Sequence, residues 1–152
     1  MKQIRQQVDQ IVERVLILIL GVMVFNVLWQ VFTRFFTSSP SAFTDELARY
    51  LMIWLGILGA AYVAGKQEHV AIDFFVNKLK HSQRTKIDLF VRISILSFAL
   101  FGMVVGGGRL VYITYKLEQN SPSLQIPLAI VYAIIPISGL LILFYKLTQH
   151  KE

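Results

Sequence analysis

The run from Val15 to Thr33, VLILILGVMVFNVLWQVFT, decides the fold of this chain because its nineteen residues include no Asp, Glu, Lys or Arg. A hydrocarbon core about 30 Å thick needs about 20 residues of α-helix to cross it. Three further charge-free runs follow, at 50–65, 93–108 and 119–145. The two shorter runs reach full length when the flanking Lys and Arg side chains extend to the membrane surface. The sequence therefore predicts an all-α membrane protein with four transmembrane helices.

Composition supports this class and excludes others. The 152 residues are 55% hydrophobic and 16% charged, whereas soluble domains are about 45 to 50% apolar and about 25% charged. The net charge of +6 is not gathered into a basic patch interleaved with aromatic residues, so nucleic acid is not an expected partner. Since the chain has no Cys, disulfides, thiolate metal sites and cysteine nucleophiles are excluded.

The distribution of basic residues predicts the orientation of the spans. Eleven of the 15 Lys and Arg residues precede the first run, separate the second from the third, or follow the fourth. Loops on the cytoplasmic side carry such an excess. Both termini are therefore predicted to be cytoplasmic.

A single domain, 1–152, is predicted, with transmembrane helices over 3–36, 44–66, 83–117 and 127–148. The first of these begins with an amphipathic lead-in along the inner interface, because Ile4, Val8 and Ile11 recur at helical spacing. A short interfacial helix is predicted at 71–80, between the second and third spans. Pro136 predicts a kink in the fourth helix.

The charge-free runs contain few groups capable of chemistry. A small multidrug exporter would need a membrane-embedded Glu in an early span, and 15–33 contains none. No His lies in the middle of a run to bind haem, and neither a metalloprotease motif nor a phosphate-binding glycine loop is present. We therefore predict no enzyme activity and no catalytic, cofactor-binding or metal-binding residues. For the polar pair Asn26 and Gln30, hydrogen bonding between helices is a more common role than lining a transport path.

Small residues recur at four-residue intervals on two of the predicted helices. Gly56, Ala60 and Ala64 form one such series, and Gly102 and Gly106 form another. Such spacing allows close contact between helices. Two interpretations are open: packing within the chain's own bundle, which is the more common use, and contact with a foreign subunit.

Three stretches in order resemble a known family. They are FTDELARY at 43–50 with the residues that follow to 61, the segment 65–73 that contains Glu68-His69-Val70, and the segment 121–136 that contains Ser-Pro and Ile-Pro pairs. Together they are similar to the small membrane (Q-type) subunit of tripartite ATP-independent periplasmic (TRAP) transporters. The resemblance covers nearly the whole chain.

This resemblance implies a non-catalytic subunit of the bacterial inner membrane. Its expected partners are a large multi-span M-type permease subunit, a periplasmic binding protein that delivers an organic acid, and membrane lipid. Sodium and solute would bind the large subunit, which this chain would brace, and no cofactor is expected in this chain. The solute would be a sialic acid or a C4-dicarboxylate. A four-span regulatory or assembly protein unrelated to transport remains the alternative that composition does not exclude.

Ten residues are candidates for contact with the large subunit or the binding protein. Several have a simpler alternative role: a local ion pair for Asp45 with Arg49, the aromatic belt for Trp54, and a local cap or hydrogen bond for His69 and Asp73. The full set is Asp45, Glu46, Arg49, Trp54, Gly56, Ala60, His69, Asp73, Gly102 and Gly106.

Overall fold

The computed structural model describes residues 2–37, 42–66 and 81–148, and every regular element in these ranges is a helix. The first two helices are α1 (Lys2–Thr37) and α2 (Ala42–Gly65). The third span runs through α3 (His81–Ser97), a π-helix (Phe98–Gly106) and α4 (Gly107–Lys116), and the fourth through α5 (Leu128–Tyr132) and α6 (Ile134–Thr148).

Within the described residues, four helices are long and apolar enough to cross a membrane: Gln3–Phe36, Ala42–Gly65, Leu89–Lys116 and Leu128–Thr148. The prediction of an all-α membrane protein with four spans is thus confirmed. The predicted interfacial helix at 71–80 lies outside the described residues.

The predicted N-terminal lead-in continues into the first span without a break. Helix α1 has 36 residues, which makes it about 54 Å long at 1.5 Å per residue. Val8 and Val12 of this segment pack into the core that α1 shares with α2. The lead-in is therefore part of the bundle and not a separate helix.

The helices pack in the order α1, α2, fourth span, third span. One hydrophobic cluster, centred on Val12, Ile19, Leu58 and Ile134, joins α1, α2 and the fourth span. A second, formed by Ala61, Ala99 and Ile142, joins α2 to the third and fourth spans. We call the end of the bundle that holds residues 2, 65 and 148 the terminal end, and the opposite end, which holds 117–127, the loop end.

Glycines allow the closest contacts inside the bundle. A Cβ atom on Gly65 would lie 2.5 Å from Cδ2 of Tyr145, whose side chain is fully buried. On Gly139 it would lie 2.8 Å from Cβ of Met103 and 3.1 Å from the carbonyl oxygen of Ala99. Only a glycine fits at either position without movement of the neighbouring helix.

The π-helix of the third span was not predicted. Its nine residues end at Gly106, and the N–H of the following Gly107 points at the carbonyl of Gly102, five residues earlier. Such wide turns are rare in proteins. Gly139 of the fourth span lies against Ala99 and Met103 of this segment. The wider helix therefore packs against the fourth span at a glycine, where no side chain stands between the two backbones.

The fourth span is interrupted near its proline, as the sequence predicted. Helix α5 ends at Tyr132 and α6 begins at Ile134, with Ala133 between them. Pro136 has no N–H to donate to the carbonyl four residues before it. The interruption therefore lies within the turn that the proline weakens.

Candidate subunit interface

Two polar side chains join α1 to α2. The Nδ2 atom of Asn26, which is buried, donates to the carbonyl oxygen of Thr44 at 2.7 Å. One turn farther along α1, Nε2 of Gln30 donates to Oδ1 of Asp45 at 3.3 Å. Hydrogen bonding between helices was the predicted role of this pair, and it is confirmed.

Glu46 holds the loop that precedes the fourth span. One oxygen of its carboxylate accepts hydrogen bonds from the backbone N–H groups of Ser123 at 2.8 Å and Leu124 at 3.1 Å. The other accepts one from the hydroxyl of Tyr50 at 2.7 Å. Charge-assisted hydrogen bonds of this kind are stronger than neutral ones. Glu46 thus brings together the first and third of the stretches on which the family resemblance rests.

The loop itself is tightly folded. Ser121 is fully buried, and its N–H donates to the carbonyl of Ile126 at 2.9 Å. Glu118 and Gln125 have positive φ angles of 49° and 55°, a conformation that is uncommon for residues other than glycine. The loop therefore has a defined, compact conformation at the loop end of the bundle and is not an extended connection.

Asp45, Arg49 and Trp54 make contacts within the chain. Arg49 and Asp45 form an exposed ion pair at 3.4 Å, which confirms the local role considered for them; such pairs contribute little stability. The Nε1 atom of Trp54 donates to the carbonyl oxygen of Val131 at 3.0 Å. Trp54 therefore fastens α2 to the fourth span, a role that neither interpretation of the sequence included.

A second set of hydrogen bonds joins the helices at the terminal end of the bundle. Arg5 of α1 donates to the carbonyl oxygen of Gly65 at 2.8 Å, and Arg92 of the third span donates to that of Lys146 at 3.0 Å. Both acceptors lie in the last turns of helices, where carbonyl groups lack partners within the helix. The sequence did not predict these contacts. Arg92 directly precedes the charge-free run at 93–108, but Arg5 lies ten residues before the run at 15–33.

The four small candidate residues lie on the outer surface of the bundle. Gly56, Ala60, Gly102 and Gly106 are all exposed. A Cβ atom on Gly56 would meet nothing within 4 Å, and one on Gly102 would meet only the ring of Phe98 in the same span. Packing within the chain's own bundle, the first interpretation, is therefore wrong for these four residues, whereas it is confirmed for Ala64, which packs against the second hydrophobic cluster. Contact with another subunit stays a prediction.

His69 and Asp73 lie outside the described residues. Within the ranges 2–37, 42–66 and 81–148, no group of three or more His, Asp or Glu side chains could hold a metal ion.

A groove of about 450 Å³ between α1 and α2 is lined mainly by apolar side chains, and the Nδ2 atom of Asn26 on its wall already donates to Thr44. This groove suits an apolar occupant and not a carboxylated solute.

These features define a small four-span membrane protein whose helices are joined by hydrogen bonds and whose outer surface is apolar and exposed. Residues 23–150 match the family model described as the DctQ component of tripartite ATP-independent periplasmic transporters. The chain belongs to this family, and it is accordingly a multi-pass protein of the bacterial inner membrane and a transport component.

Individual relatives agree with this assignment. The sialic acid TRAP transporter small permease protein of Vibrio cholerae is 25% identical over 98% of this chain and 84% of its own length. The C4-dicarboxylate TRAP transporter small permease protein of Rhodobacter capsulatus is 31% identical over 66% of this chain and 44% of its own length. A sialic acid TRAP transporter permease protein of Haemophilus influenzae is 36% identical over 49% of this chain, which corresponds to 13% of that longer protein.

Proposed function

We propose that this chain is the small, non-catalytic permease subunit of a TRAP transporter. It braces a large M-type permease subunit during secondary active, sodium-coupled uptake of an organic acid that a periplasmic binding protein delivers. Solute and sodium bind the large subunit, and this chain needs no cofactor. Both of its termini are cytoplasmic.

The observation that carries this proposal is the exposure of small residues on the membrane-spanning surface. Gly56 and Ala60 on α2 and Gly102 and Gly106 in the π-helix are exposed, and the space beside Gly56 is open to at least 4 Å. Small residues let helix backbones approach closely, and this is how membrane helices of different chains associate. Since this chain does not use these positions for its own packing, a partner helix is the natural occupant.

The relatives support the identity of that partner. A segment similar to half of this chain forms 13% of a longer sialic acid transporter permease protein. In that relative, therefore, the small-subunit sequence is part of the same polypeptide as a much larger permease portion. A separate chain of the same family is expected to bind such a portion without a covalent link.

The solute class follows from the relatives and not from any residue of this chain. One relative is named for sialic acid and another for C4-dicarboxylates. Both classes are carboxylated organic acids. We propose uptake of one of them, with the choice made by the large subunit and the binding protein.

Reconstitution tests this function. Liposomes that contain the large subunit and this chain, with the binding protein outside, should accumulate sialic acid or succinate under an inward sodium gradient. Omission of this chain should reduce uptake to the level of empty liposomes, and potassium in place of sodium should do the same. Undiminished uptake without this chain would contradict the proposal.

Cysteine labelling tests the orientation, because the natural chain has no Cys. Asn120 and Gln3 are both exposed and lie at opposite ends of the bundle. In intact spheroplasts, an impermeant maleimide should label Asn120→Cys but should label Gln3→Cys only after the membrane is opened. The reverse pattern would place the termini in the periplasm.

A further inference from the structure

Two hydrogen bonds fix the position of α1 along α2. Arg5 donates to the carbonyl oxygen of Gly65, and Asn26 donates to that of Thr44. Because the two helices are antiparallel, residues at the same level have numbers that add to 70 in both pairs. The level of any residue of α1 relative to α2 follows from this relation.

The N-terminal part of α1 is polar where the neighbouring part of α2 is apolar. Residues 5–14 of α1 lie level with residues 56–65 of α2, which include no Asp, Glu, Lys or Arg. On α1, by contrast, most of the exposed side chains at this level are polar or charged. We call these side chains the polar edge of α1: Gln6, Gln7, Gln10, Glu13 and Arg14.

The third and fourth spans are also apolar at this level. The ring of Tyr145 in the fourth span lies against Gly65, and the second hydrophobic cluster joins the third span to α2. The outward side chains there include Phe101 of the third span and Leu140 of the fourth, which are 67% and 57% exposed. Three of the four spans therefore present an apolar outer surface where α1 presents a polar one.

No single membrane boundary suits both surfaces. If acyl chains surround the apolar surface, they also surround the polar edge, and polar groups are costly in hydrocarbon. If water instead reaches the level of Arg14, it also reaches Phe101 and Leu140. A common tilt of up to about 40° shifts neighbouring axes, about 8 to 10 Å apart, by only roughly 5 to 6 Å along the membrane normal. The polar edge is about 12 Å long, so a tilt does not remove the conflict.

The reach of the side chains does not remove it either. Arg14 lies level with Gly56, which is ten residues, or about 15 Å, from Lys66 at the end of the charge-free run. This is farther than a long basic side chain extends toward the membrane surface, and glutamine side chains are shorter still. The polar edge therefore needs hydrogen-bonding partners at its own depth.

The polar edge borders the surface that the proposed function assigns to the large subunit. Arg14 is level with the exposed Gly56. Glu13 accepts a hydrogen bond from the hydroxyl of Tyr62 at 3.4 Å, so its carboxylate lies at the seam between α1 and α2. Helix α1 packs mainly against α2, at one edge of the packing order, and the side of α1 that carries the polar edge is exposed.

We infer that the large permease subunit covers the polar edge of α1 with a hydrogen-bonding surface of its own. This inference rests on the proposed function, because its partner is the large subunit proposed there. The contact surface of this chain extends from Gly56 on α2 across the seam to Gln10 and its polar neighbours on α1. Gly21, about 10 Å farther along α1 from Arg14, lies outside it.

Photo-crosslinking in the native membrane tests this contact. The photoreactive residue p-benzoylphenylalanine replaces Gln10 in one variant and Leu140 in another. These two positions share a level, since Gln10 is level with Ala60 and Leu140 precedes Tyr145 by the five residues that separate Ala60 from Gly65. We expect irradiation to join position 10 to the large subunit and position 140 to lipid.

The outcomes separate this inference from the proposed function. If the large subunit accompanies the position 10 variant during purification but the crosslinks go only to lipid or to the chain itself, the inference is wrong and the proposed function stands. If no large subunit accompanies even the wild-type chain, both are wrong. Gln6, on the same edge, provides a second position for the photoreactive residue.

Substitution of Gln10 tests the polar character of the partner surface. Gln10→Leu leaves a polar group of the large subunit without a partner, so we expect the two subunits to bind about tenfold more weakly in mild detergent. Gln10→Asn keeps the amide and should bind more tightly than Gln10→Leu. The isolated Gln10→Leu chain should unfold as the wild type does, because the side chain is exposed. Equal or tighter binding of Gln10→Leu would overturn the inference.

Discussion

Asn26 and Thr44 form the buried polar contact between the first two helices, with the side-chain amide of Asn26 donating to the carbonyl oxygen of Thr44 at 2.7 Å. An amide side chain in the middle of an apolar helix is stable in a membrane when such an acceptor is present. The contact also fixes the position of α1 along α2.

Replacement of Asn26 tests the energetic role of this contact. We expect Asn26→Leu, which keeps a similar volume, to lower the free energy of unfolding by about 0.6 to 2 kcal/mol, the range for hydrogen bonds between membrane helices. Reversible unfolding in mild detergent, followed by circular dichroism, measures the change. Val27→Leu, at the exposed neighbouring position, is the matched control and should unfold like the wild type. Equal stability of Asn26→Leu and the control would contradict this role.

Gly65 and Gly56 lie on the same helix, and we expect replacement by alanine to have opposite effects on stability at the two positions. A Cβ atom on Gly65 would meet the buried ring of Tyr145, whereas one on Gly56 would meet nothing within 4 Å. Gly65→Ala is therefore expected to destabilise the chain by about 1 to 3 kcal/mol through overpacking. Gly56→Ala should be neutral or stabilising by up to about 1 kcal/mol, because alanine has the higher helix propensity. Thermal unfolding of the two variants side by side provides the measurement, and a stable Gly65→Ala would show that Tyr145 packs elsewhere.

Glu46 is expected to control the order of the loop at 121–124. Glu46→Gln removes the charge that strengthens its bonds to the N–H groups of Ser123 and Leu124. Hydrogen exchange at these two amides should become faster, while exchange in the middle of α2 stays as in the wild type. Asp45→Asn, which alters the neighbouring ion pair with Arg49, is the control and should leave the loop amides protected. Unchanged exchange in Glu46→Gln would mean that the loop is held by its own backbone bonds.

The open surface at Gly56 predicts a variant that folds but does not assemble. Because Gly56→Leu meets no atom of its own chain within 4 Å of the new Cβ, the isolated subunit should insert and unfold as the wild type does. If a helix of the large subunit packs there, the yield of assembled complex should fall at least tenfold, and Gly102→Leu should act in the same direction. Gly21→Leu, at an equally open position on α1, is the control. Wild-type yields for Gly56→Leu and Gly102→Leu would show that the partner binds another face.

The four spans could be predicted from sequence because long charge-free runs have few alternatives to membrane-spanning helices. The role of Asn26 could be predicted for a similar reason, since a lone amide in such a run needs an acceptor. The turn weakened by Pro136 follows from the missing N–H of proline. These properties depend on the residues within a single run, so they can be predicted from the sequence alone.

The packing of glycines could not be predicted in the same way. Spacing of four residues marks Gly56 with Ala60 and Gly102 with Gly106, but the closest internal contacts of the described residues are at Gly65, Gly107 and Gly139. Spacing shows which small residues share a helix face and does not show which neighbour that face meets. The π-helix at Phe98–Gly106 and the bonds of Glu46 to a loop more than seventy residues away likewise depend on tertiary contacts.

The central claim is that this chain works as the small subunit of a larger permease. The most direct measurement is to purify the tagged chain from its native membrane in mild detergent and to determine by quantitative mass spectrometry which proteins accompany it. The account predicts a large multi-span permease in a fixed stoichiometric ratio, at wild-type yield for Gly21→Leu and at reduced yield for Gly56→Leu. A chain that purifies alone, and that alone transports an organic acid in liposomes, would contradict the account.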